Sequence, residues 1–274
     1  MIPTERFTVR SRDGVEISAQ KAGSGPALLL IHGALFNGTL SWGAVLGKLA
    51  EHLTVYAMDR RGRAPSGDAK EYSIVNEADD IVRVVESIGG PVIVLSHSYG
   101  ALASLDALDH LKNVSHLILY EPPVVLKPRD PAIVANLERA LEADDREQLV
   151  TVFLRDQIGV PPDRIAMMAS SPIWPIVLQI APTLPRESRA VNTYRPSGER
   201  LAACKIPVTV LLGSETAGLL RDAAYFVCDA IPECRMVILE GQGHGAMLES
   251  PDYFVNKVLE VAATPKHSSS HTAD

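Results

Sequence analysis

Short, continuous runs of apolar residues recur along the chain at the length of a β-strand. The run at 27–31 is apolar throughout, as expected for a strand that is buried on both faces of a parallel sheet. Comparable runs lie at 54–58, 92–95, 116–120, 207–212 and 235–239. Segments 5–10 and 15–20 flank Ser11-Arg12-Asp13-Gly14, and because an Asp-Gly pair is a strong turn signal, they are predicted to form a hairpin.

Segments with helical periodicity alternate with these runs. They lie near 41–51, 77–88, 99–110, 219–230 and 251–262. Alternating strands and helices are typical of the α/β class, in which helices cover both faces of the sheet. The pattern therefore predicts a doubly wound, mostly parallel, eight-stranded sheet, with ligands bound at the carboxyl ends of the strands.

The alternation breaks between residues 120 and 207. About eighty residues there are rich in proline and contain no clear strand, with helical patterns at 131–143 and 145–157. A loop of that length is uncommon in a compact domain. We therefore predict a core formed by 1–121 and 205–263, and a helical cap insertion formed by 122–204 over the carboxyl edge of the sheet. Residues 264–274 are small and polar and are predicted to form a disordered tail.

Composition and charge narrow the class of protein. An apolar content of 46% and a charged content of 22% in 274 residues are typical of a globular enzyme. The net charge of −7 argues against binding to nucleic acid, because phosphate recognition needs a basic surface. The N-terminal sequence lacks the pattern of a secretory signal, and no apolar run reaches the ~18 residues of a membrane span. We expect a cytoplasmic protein with a small-molecule substrate and no nucleic-acid or membrane partner, and a homodimer is left open.

Cysteine usage points to a reducing compartment. The three cysteines, Cys204, Cys228 and Cys234, lack the spacing of a metal site. In a cytoplasmic protein the expected state of such residues is a free thiol. No metal ion and no organic cofactor are predicted.

Residues suited to acyl transfer follow several of the predicted strands. Ser96-His97-Ser98-Tyr99-Gly100 follows the run at 92–95 and reads small–x–Ser–x–small, a pattern typical of a nucleophile elbow. Its first small residue is serine rather than the usual glycine. Glu121 follows the run at 116–120, and His244 lies between glycines after the last strand. A serine, an acid and a histidine thus occur in that order along the chain.

With these positions in place, the sequence resembles the α/β-hydrolase family over nearly all of its length. The matching pieces are LLLIHGA at 28–34, MDRRGRAPSGD at 58–68, VIVLSHSYGA at 92–101, LILYEPP at 117–123 and VILEGQGHGAM at 237–247. The resemblance implies that Ser98 is the nucleophile and that His244 takes its proton. It also implies that the backbone N–H groups of Ala34 and Tyr99 form the oxyanion hole.

The acid that supports His244 has two candidates. In much of the family it follows the strand after the cap, where Glu215 lies, whereas a subset carries it after the strand before the cap, where Glu121 lies. The segment around Glu215 lacks the Gly-x-x-Asp arrangement of the commoner pattern, and Thr216 stands at the position expected for Asp. Prolines directly after Glu121 stiffen its backbone. We therefore expect Glu121 to be the acid, with Glu215 as the alternative.

The cap is expected to set specificity through a mostly apolar pocket. The residues predicted to line this pocket are Leu35, His97, Phe153, Trp174 and Met247. A second feature, Arg60-Arg61-Gly62-Arg63, follows the strand at 54–58 and suggests a phosphate clamp. Ion pairs that tie this loop to Asp59 and Asp68 are the interpretation that we favour.

Three functions are compatible with these residues. The first is hydrolysis of a carboxylic ester or lactone of a small, largely apolar substrate through an acyl-enzyme. The second keeps the fold but performs non-ester chemistry, as a carbon–carbon hydrolase, a lyase or a cofactor-free cyclase in a biosynthetic pathway, because Ser and His also serve as a plain acid and base. The third is a non-catalytic ligand-binding protein on the hydrolase scaffold. The order of Ser98, Glu121 and His244 favours the first.

Overall fold

The computed structural model describes residues 3–263, which are built around one sheet of eight strands. The strands are β1 (Thr4–Arg10), β2 (Glu16–Ala22), β3 (Ala27–Ile31), β4 (Thr54–Asp59), β5 (Val92–His97), β6 (Val114–Tyr120), β7 (Val208–Gly213) and β8 (Cys234–Leu239). Their order in the sheet is β1-β2-β4-β3-β5-β6-β7-β8. β2 pairs antiparallel with β1 and with β4, and the other pairings are parallel. The predicted hairpin and the predicted eight-stranded, mostly parallel sheet are confirmed.

Helices cover both faces of this sheet. They are α1 (Gly38–Leu49), α2 (Ile74–Ile88), α3 (Tyr99–Ala107), α4 (Pro131–Glu142), α5 (Arg146–Val152), α6 (Pro162–Ala169), α7 (Trp174–Ile180), α8 (Leu184–Thr193), α9 (Gly198–Ala202), α10 (Gly218–Ala230), α11 (Ala246–Glu249) and α12 (Pro251–Ala263). Helices α2, α3 and α10 bury apolar residues on one face, and α1 and α12 do so on the other. The sheet is therefore doubly wound, as predicted.

The central strand β3 shows why the apolar runs are continuous. Its residues from Leu28 to Ile31 are completely buried. Leu29 and Ile31 pack towards α2 and α3, whereas Leu28 and Leu30 pack towards α1. Because successive side chains of a strand point to opposite faces and both faces carry helices, every position is apolar. The carboxyl ends of β3, β5 and β6 then lie side by side at one edge of the sheet.

The chain between β6 and β7 carries helices α4 to α9. Asp130 caps the first of them by accepting a hydrogen bond from Ala132 N at 2.9 Å, and Pro131 occupies the first turn. Apolar residues of these helices, including Leu137 and Trp174, form a cluster of their own. The helical content predicted for this interval is confirmed.

Two other predictions about chain organisation have a different outcome. The division into a core and a cap formed by 122–204 stays a prediction, and the tail 264–274, predicted to be disordered, lies outside the described residues.

Among residues 3–263, no single helix is long and apolar enough to cross a membrane. Helix α6 and the segment Trp174–Thr193 meet that length and composition only together, as a pair bent by 103°.

The prediction of three free thiols is wrong at two positions. Cys228 near the end of α10 and Cys234 at the start of β8 form a disulfide, and Cys204 is free. The chain reverses direction between α10 and β8, which brings the two Cα atoms to 5.2 Å, within the range of a disulfide. A separation of six residues in the sequence does not by itself indicate such a contact.

Candidate active site

Ser98 occupies a sharp turn between β5 and α3. Its backbone has φ 52° and ψ −120°, a conformation that residues other than glycine rarely adopt. A Cβ on Gly100 would lie 2.6 Å from the carbonyl oxygen of His32, and a Cβ on Gly33 would lie 2.9 Å from the Cβ of Ser98. The small residues therefore let β3, the turn and α3 pack closely enough to hold Ser98 at the edge of the sheet.

Ser96 takes the position where a nucleophile elbow usually carries glycine. Its side chain is buried, and its Oγ lies 2.7 Å from the Oγ of Ser104 on α3. A buried hydroxyl without a partner costs roughly 1–3 kcal/mol. Ser104 removes that cost, so a second serine on the facing helix compensates for the departure from glycine.

The structure places Glu121, and not Glu215, against the ring of His244. Glu121 follows β6 with a positive φ of 48°, and its side chain is completely buried. Its Oε2 lies 2.5 Å from Nδ1 of His244, while its Oε1 accepts hydrogen bonds from Gly213 N at 2.8 Å and from Thr216 Oγ1 at 2.6 Å. Glu215 is exposed to solvent. Thr216 stands where the commoner pattern has an Asp. Its hydroxyl thus donates to Glu121, the carboxylate that contacts His244 here.

This contact fixes the tautomer of His244. An ionised carboxylate only accepts hydrogen bonds, so the proton of the neutral imidazole lies on Nδ1 and Nε2 is the basic nitrogen. The side chain of His244 is 31% exposed, in contrast to that of Glu121. His244 and Ser98 line the same cavity, so the basic nitrogen and the serine belong to one site.

His97 and Tyr120 hold the loop that carries His244. Nε2 of His97 donates to the backbone carbonyl of His244 at 2.9 Å. Tyr120 Oη donates to the carbonyl of Gly243 and accepts from Ala246 N at 3.2 Å. Burial and the neighbouring His244 lower the pKa of His97 well below its ordinary value, so its ring is neutral. His97 was predicted to line the pocket, but it lies under the loop and supports it.

The peptide unit between Gly33 and Ala34 has a fixed orientation. Its carbonyl oxygen accepts hydrogen bonds from His32 Nδ1 at 2.7 Å and from Arg60 Nη1 at 2.9 Å. In a trans peptide the N–H points opposite to the C=O, so the N–H of Ala34 is turned away from these two donors. Ala34 and Tyr99, the predicted oxyanion-hole residues, both line the cavity beside Ser98.

The arginines after β4 do not form a phosphate clamp, and they do not pair with Asp59 or Asp68. Their side chains are buried and neutralised by acids of α2, of α8 and of the turn between β1 and β2. The pairs are Arg60 with Glu77 at 2.6 Å, Arg61 with Asp80 at 2.7 Å and with Asp13 at 2.8 Å, and Arg63 with Glu187. Ion pairs therefore tie this loop, as favoured, but Asp59 and Asp68 are the wrong partners, because the acids come from α2, from α8 and from the turn between β1 and β2.

A cavity of about 180 Å³ opens beside Ser98 and His244. Its polar lining includes Arg129, Gln157, Glu187 and Ser188, and its apolar lining includes Phe153, Val191, Leu219 and Leu220. The four polar residues were not among those predicted from the sequence. They belong to the segment between β6 and β7, whose helices are brought over the sheet by tertiary packing that no local pattern encodes.

Among the predicted pocket residues, Phe153 lines this cavity and the others pack elsewhere. Leu35 and Trp174 belong to the apolar cluster of the helices between β6 and β7. Met247 packs against α1 and α12, on the face of the sheet opposite to α2 and α3. These large side chains were predicted to face the substrate because they are apolar and near the site, but the same property buries them in the core.

Among residues 3–263, no group of three or more His, Cys, Asp or Glu is arranged to hold a metal ion.

Comparison with known proteins identifies the family. The chain matches the model of the alpha/beta hydrolase family over residues 28–257, and it belongs to that family. An uncharacterised protein of Mycobacterium tuberculosis is 31% identical over 280 aligned residues, which cover 93% of this chain and 80% of that one. A pimeloyl-acyl-carrier-protein methyl ester esterase of Yersinia pestis is 26% identical over 251 residues, covering 87% of this chain and 94% of that one.

A solved structure agrees with this assignment. The crystal structure of an alpha/beta hydrolase from Sphaerobacter thermophilus superposes with a TM-score of 0.83 at 34% identity, covering 93% of this chain and 99% of that chain. Together with the family match, this likeness shows that the protein is a hydrolytic enzyme with the alpha/beta hydrolase fold.

Proposed function

We propose that this hydrolase cleaves a carboxylic ester or lactone of a small, largely apolar substrate through an acyl-enzyme. Ser98 is the nucleophile, His244 is the general base, and Glu121 orients His244. One observation carries the proposal: Nδ1 of His244 lies 2.5 Å from the buried carboxylate of Glu121, at the wall of a cavity that Ser98 shares.

Acylation begins at the hydroxyl of Ser98, which is a weak nucleophile until a base takes its proton. As Oγ attacks the ester carbonyl, Nε2 of His244 accepts that proton, and the carboxylate of Glu121 stabilises the imidazolium that forms. The carbonyl oxygen becomes negative and accepts hydrogen bonds from the N–H groups of Ala34 and Tyr99. One such donor is typically worth a factor of roughly 10²–10³ in turnover.

The intermediate then collapses and releases the alcohol. The C–O bond to the alcohol breaks, and the imidazolium of His244 returns its proton to the departing oxygen. A water molecule attacks the acyl-enzyme in the same way, with His244 again taking the proton, and Ser98 Oγ leaves with that proton. The products are the carboxylic acid and the alcohol, and the enzyme is restored.

The cavity supports a small substrate. Its volume is about 180 Å³. An apolar cavity of about 150 Å³ in another protein holds one benzene molecule. The wall beside Ser98 includes the apolar side chains of Phe153, Leu219 and Leu220. An acyl group of about the size of one ring, or of a short chain, fits these dimensions.

A relative supports ester chemistry over the other reactions of the fold. The similar protein of Yersinia pestis is named a methyl ester esterase, and the alignment with it covers 87% of this chain. Its name describes that protein, and it makes an ester the first class of substrate to test here.

The test combines covalent labelling with turnover. We expect a fluorophosphonate probe to label Ser98, and p-nitrophenyl esters of short acids or a simple lactone to be hydrolysed. The Ser98→Ala variant is expected to lose both properties, while Ser170→Ala, which changes an exposed serine at the end of α6, keeps both. Full esterase activity in Ser98→Ala would refute the proposal.

Two other outcomes would favour a different function over ester hydrolysis. Rapid labelling of Ser98 without hydrolysis of any ester or lactone would favour carbon–carbon cleavage, a lyase or a cyclase. A single slow turnover with tightly retained product would favour a ligand-binding protein.

A further inference from the structure

Arg129 is a cation in the wall of the active-site cavity, and within residues 3–263 its guanidinium hydrogen-bonds only to neutral groups. Its Nη2 donates to the backbone carbonyl oxygens of Gln157 at 2.6 Å and of Asp156 at 3.5 Å. The carboxylate of Asp156 is occupied by Arg155, at 2.6 and 2.7 Å. Burial lowers the pKa of Arg129, and among residues 3–263 no acid offsets that effect. The part of the chain that the structure describes therefore supplies no negative charge against the guanidinium of Arg129.

The acid in the same wall is already neutralised. Glu187 forms an ion pair with Arg63, and Arg60 lies 3.3 Å from the same carboxylate oxygen. Burial alone would raise the pKa of Glu187, but Arg63 and Arg60 hold it below its ordinary value, so the carboxylate is ionised. Its other oxygen makes no hydrogen bond within the described residues, yet two guanidinium groups balance its charge. Arg129 therefore dominates the charge that the cavity presents to a ligand.

Two further polar groups of the wall have unused hydrogen-bonding capacity. Gln157 Oε1 and Ser188 Oγ are buried without a partner among the described residues, and both residues line the cavity. A buried polar atom without a partner is costly, so such atoms in a binding cavity indicate a polar ligand. The amide of Gln157 can turn to present its N–H groups and the hydroxyl of Ser188 rotates freely, so both can donate to an anion.

We propose that Arg129, Gln157 and Ser188 form a subsite for a carboxylate, and that the natural substrate is an ester with a second, unesterified carboxylate. This inference rests on the proposed ester hydrolysis at Ser98 and narrows its substrate class. A guanidinium binds a carboxylate through two parallel hydrogen bonds, and the pair is stronger in a partly buried site than in water. The cavity of about 180 Å³ limits the chain between ester and carboxylate to at most about six carbon atoms.

The carboxylate can belong to the acyl part or to the alcohol part of the ester. The acyl arm of the test compares monoethyl adipate with its uncharged monoamide, and the alcohol arm compares 3-acetoxypropionate with 3-acetoxypropanamide. In one of these arms we expect the wild-type kcat/KM to be at least about tenfold higher for the charged ester, since every 1.4 kcal/mol is tenfold.

Variants then assign this preference to Arg129. Arg129→Met, which keeps most of the side-chain length, is expected to reduce the ratio of charged to neutral kcat/KM by about 10- to 100-fold, mainly through KM. Arg129→Lys is expected to restore part of the ratio, because it restores the charge without the planar fork. Arg164→Met removes an exposed arginine of α6, from the same interval between β6 and β7, and is the matched control, expected to leave the ratio unchanged.

A binding measurement separates this inference from the proposed function. In Ser98→Ala protein, which cannot turn over, we expect adipate or 3-hydroxypropionate to raise Tm by at least about 2 °C, and Arg129→Met to abolish the rise. If no ester is hydrolysed but this rise occurs and depends on Arg129, the subsite stands and the ester chemistry fails. Suppose instead that esters are hydrolysed, but the ratio does not depend on Arg129 and neither acid raises Tm. The subsite is then wrong, and the ester chemistry stands.

Discussion

Leu35, Ser98 and Glu121 share a positive φ, which is costly for residues with side chains. Within residues 3–263, four non-glycine residues have a positive φ, and these three have values of 69°, 52° and 48°. Each lies just beyond one of the strands β3, β5 and β6, at the edge of the sheet where the cavity opens. Such a conformation costs roughly 1–3 kcal/mol and persists only where the surroundings enforce it. The strain is therefore concentrated in the turns that carry Ala34, Ser98 and Glu121.

Replacing Glu121 with glutamine should reverse the tautomer of His244. Gly213 N and Thr216 Oγ1 both donate to Oε1 of Glu121, so the amide oxygen of the new side chain is favoured at that position and its NH₂ group faces the ring of His244. Nδ1 must then accept, the proton moves to Nε2, and the base is lost. We expect kcat for p-nitrophenyl esters to fall by about 10²–10⁴ in Glu121→Gln, with KM changed little.

The matched control is Glu215→Gln, because Glu215 follows the next strand and is exposed. This variant should keep kcat within about twofold of the wild-type value, since a surface change away from the site has little effect. An equal loss in both variants, or a loss in Glu215→Gln alone, would contradict the assignment of Glu121 as the orienting acid.

The sequence could rank these two acids but could not decide between them. Both follow apolar strands, and their distance from His244 depends on how β6, β7 and the last loop come together. The missing Asp at Thr216 was the informative local signal, and the structure explains it, because the threonine hydroxyl donates to Glu121 at 2.6 Å. A hydrogen bond between residues 95 positions apart leaves no periodic pattern that a single sequence reveals.

At the scale of elements, the packing of α3 against β3 controls the position of Ser98. A Cβ on Gly100 would lie 2.6 Å from the carbonyl oxygen of His32 and 2.9 Å from that of Ile31. Backbone atoms cannot move aside easily, so Gly100→Ala should displace the start of α3. We expect a loss of about 1–3 kcal/mol in the free energy of unfolding and a fall in the rate of fluorophosphonate labelling of Ser98.

Gly43 supplies the control for this prediction. It lies in α1, and a Cβ there would meet no atom within 4 Å. Gly43→Ala should therefore raise the free energy of unfolding by up to about 1 kcal/mol, because alanine is the better helix former, and leave labelling unchanged. Urea unfolding of both variants gives the comparison, and equal stability of the two would show that the close approach at Gly100 is not limiting.

Elements whose burial is complete could be predicted from the sequence, whereas contacts between elements could not. The residues of β3 are apolar without exception because both faces of the strand are covered, and this leaves a local signal. The charges of Arg60, Arg61 and Arg63 were visible, but their partners lie on α2, on α8 and in the turn between β1 and β2. For the same reason Trp174 was predicted to face the substrate, although it packs among the other helices between β6 and β7.

At the scale of the whole molecule, buried charges connect the sheet to the helices above it. Arg63, in the loop after β4, pairs with Glu187 on α8, and Arg60 binds Glu77 on α2 as well as the carbonyl of Gly33. Removing one partner of a buried pair leaves an uncompensated charge and typically costs about 3–5 kcal/mol. The network therefore links the turn at Gly33 to α8, which carries Glu187 and Ser188 of the cavity wall.

Asp59, at the end of β4 beside this network, should make the stability of the whole molecule depend on pH. Burial raises its pKa to about 6, although the hydrogen bond from Gly38 N and the nearby Arg63 and Arg6 act in the opposite direction. In the unfolded chain an Asp has a pKa of about 3.9. Between these values the native state binds more protons than the unfolded state, so the contribution of Asp59 is fully present below about pH 4 and is lost as the pH rises through about 6.

The variant Asp59→Asn isolates this contribution, because its amide oxygen can still accept from Gly38 N and its charge does not change with pH. Relative to the wild type, we expect the variant to gain stability as the pH rises from about 4 to about 7, and the gain to level off at no more than about 3 kcal/mol. Urea unfolding at about pH 4.5 and about pH 7.5 measures it, with the exposed Asp229→Asn as a control whose difference from the wild type should be equal at the two values. A gain that is larger at the lower pH would mean that Asp59 is stabilised as a carboxylate, as expected if its position at the N-terminus of α1 outweighs its burial.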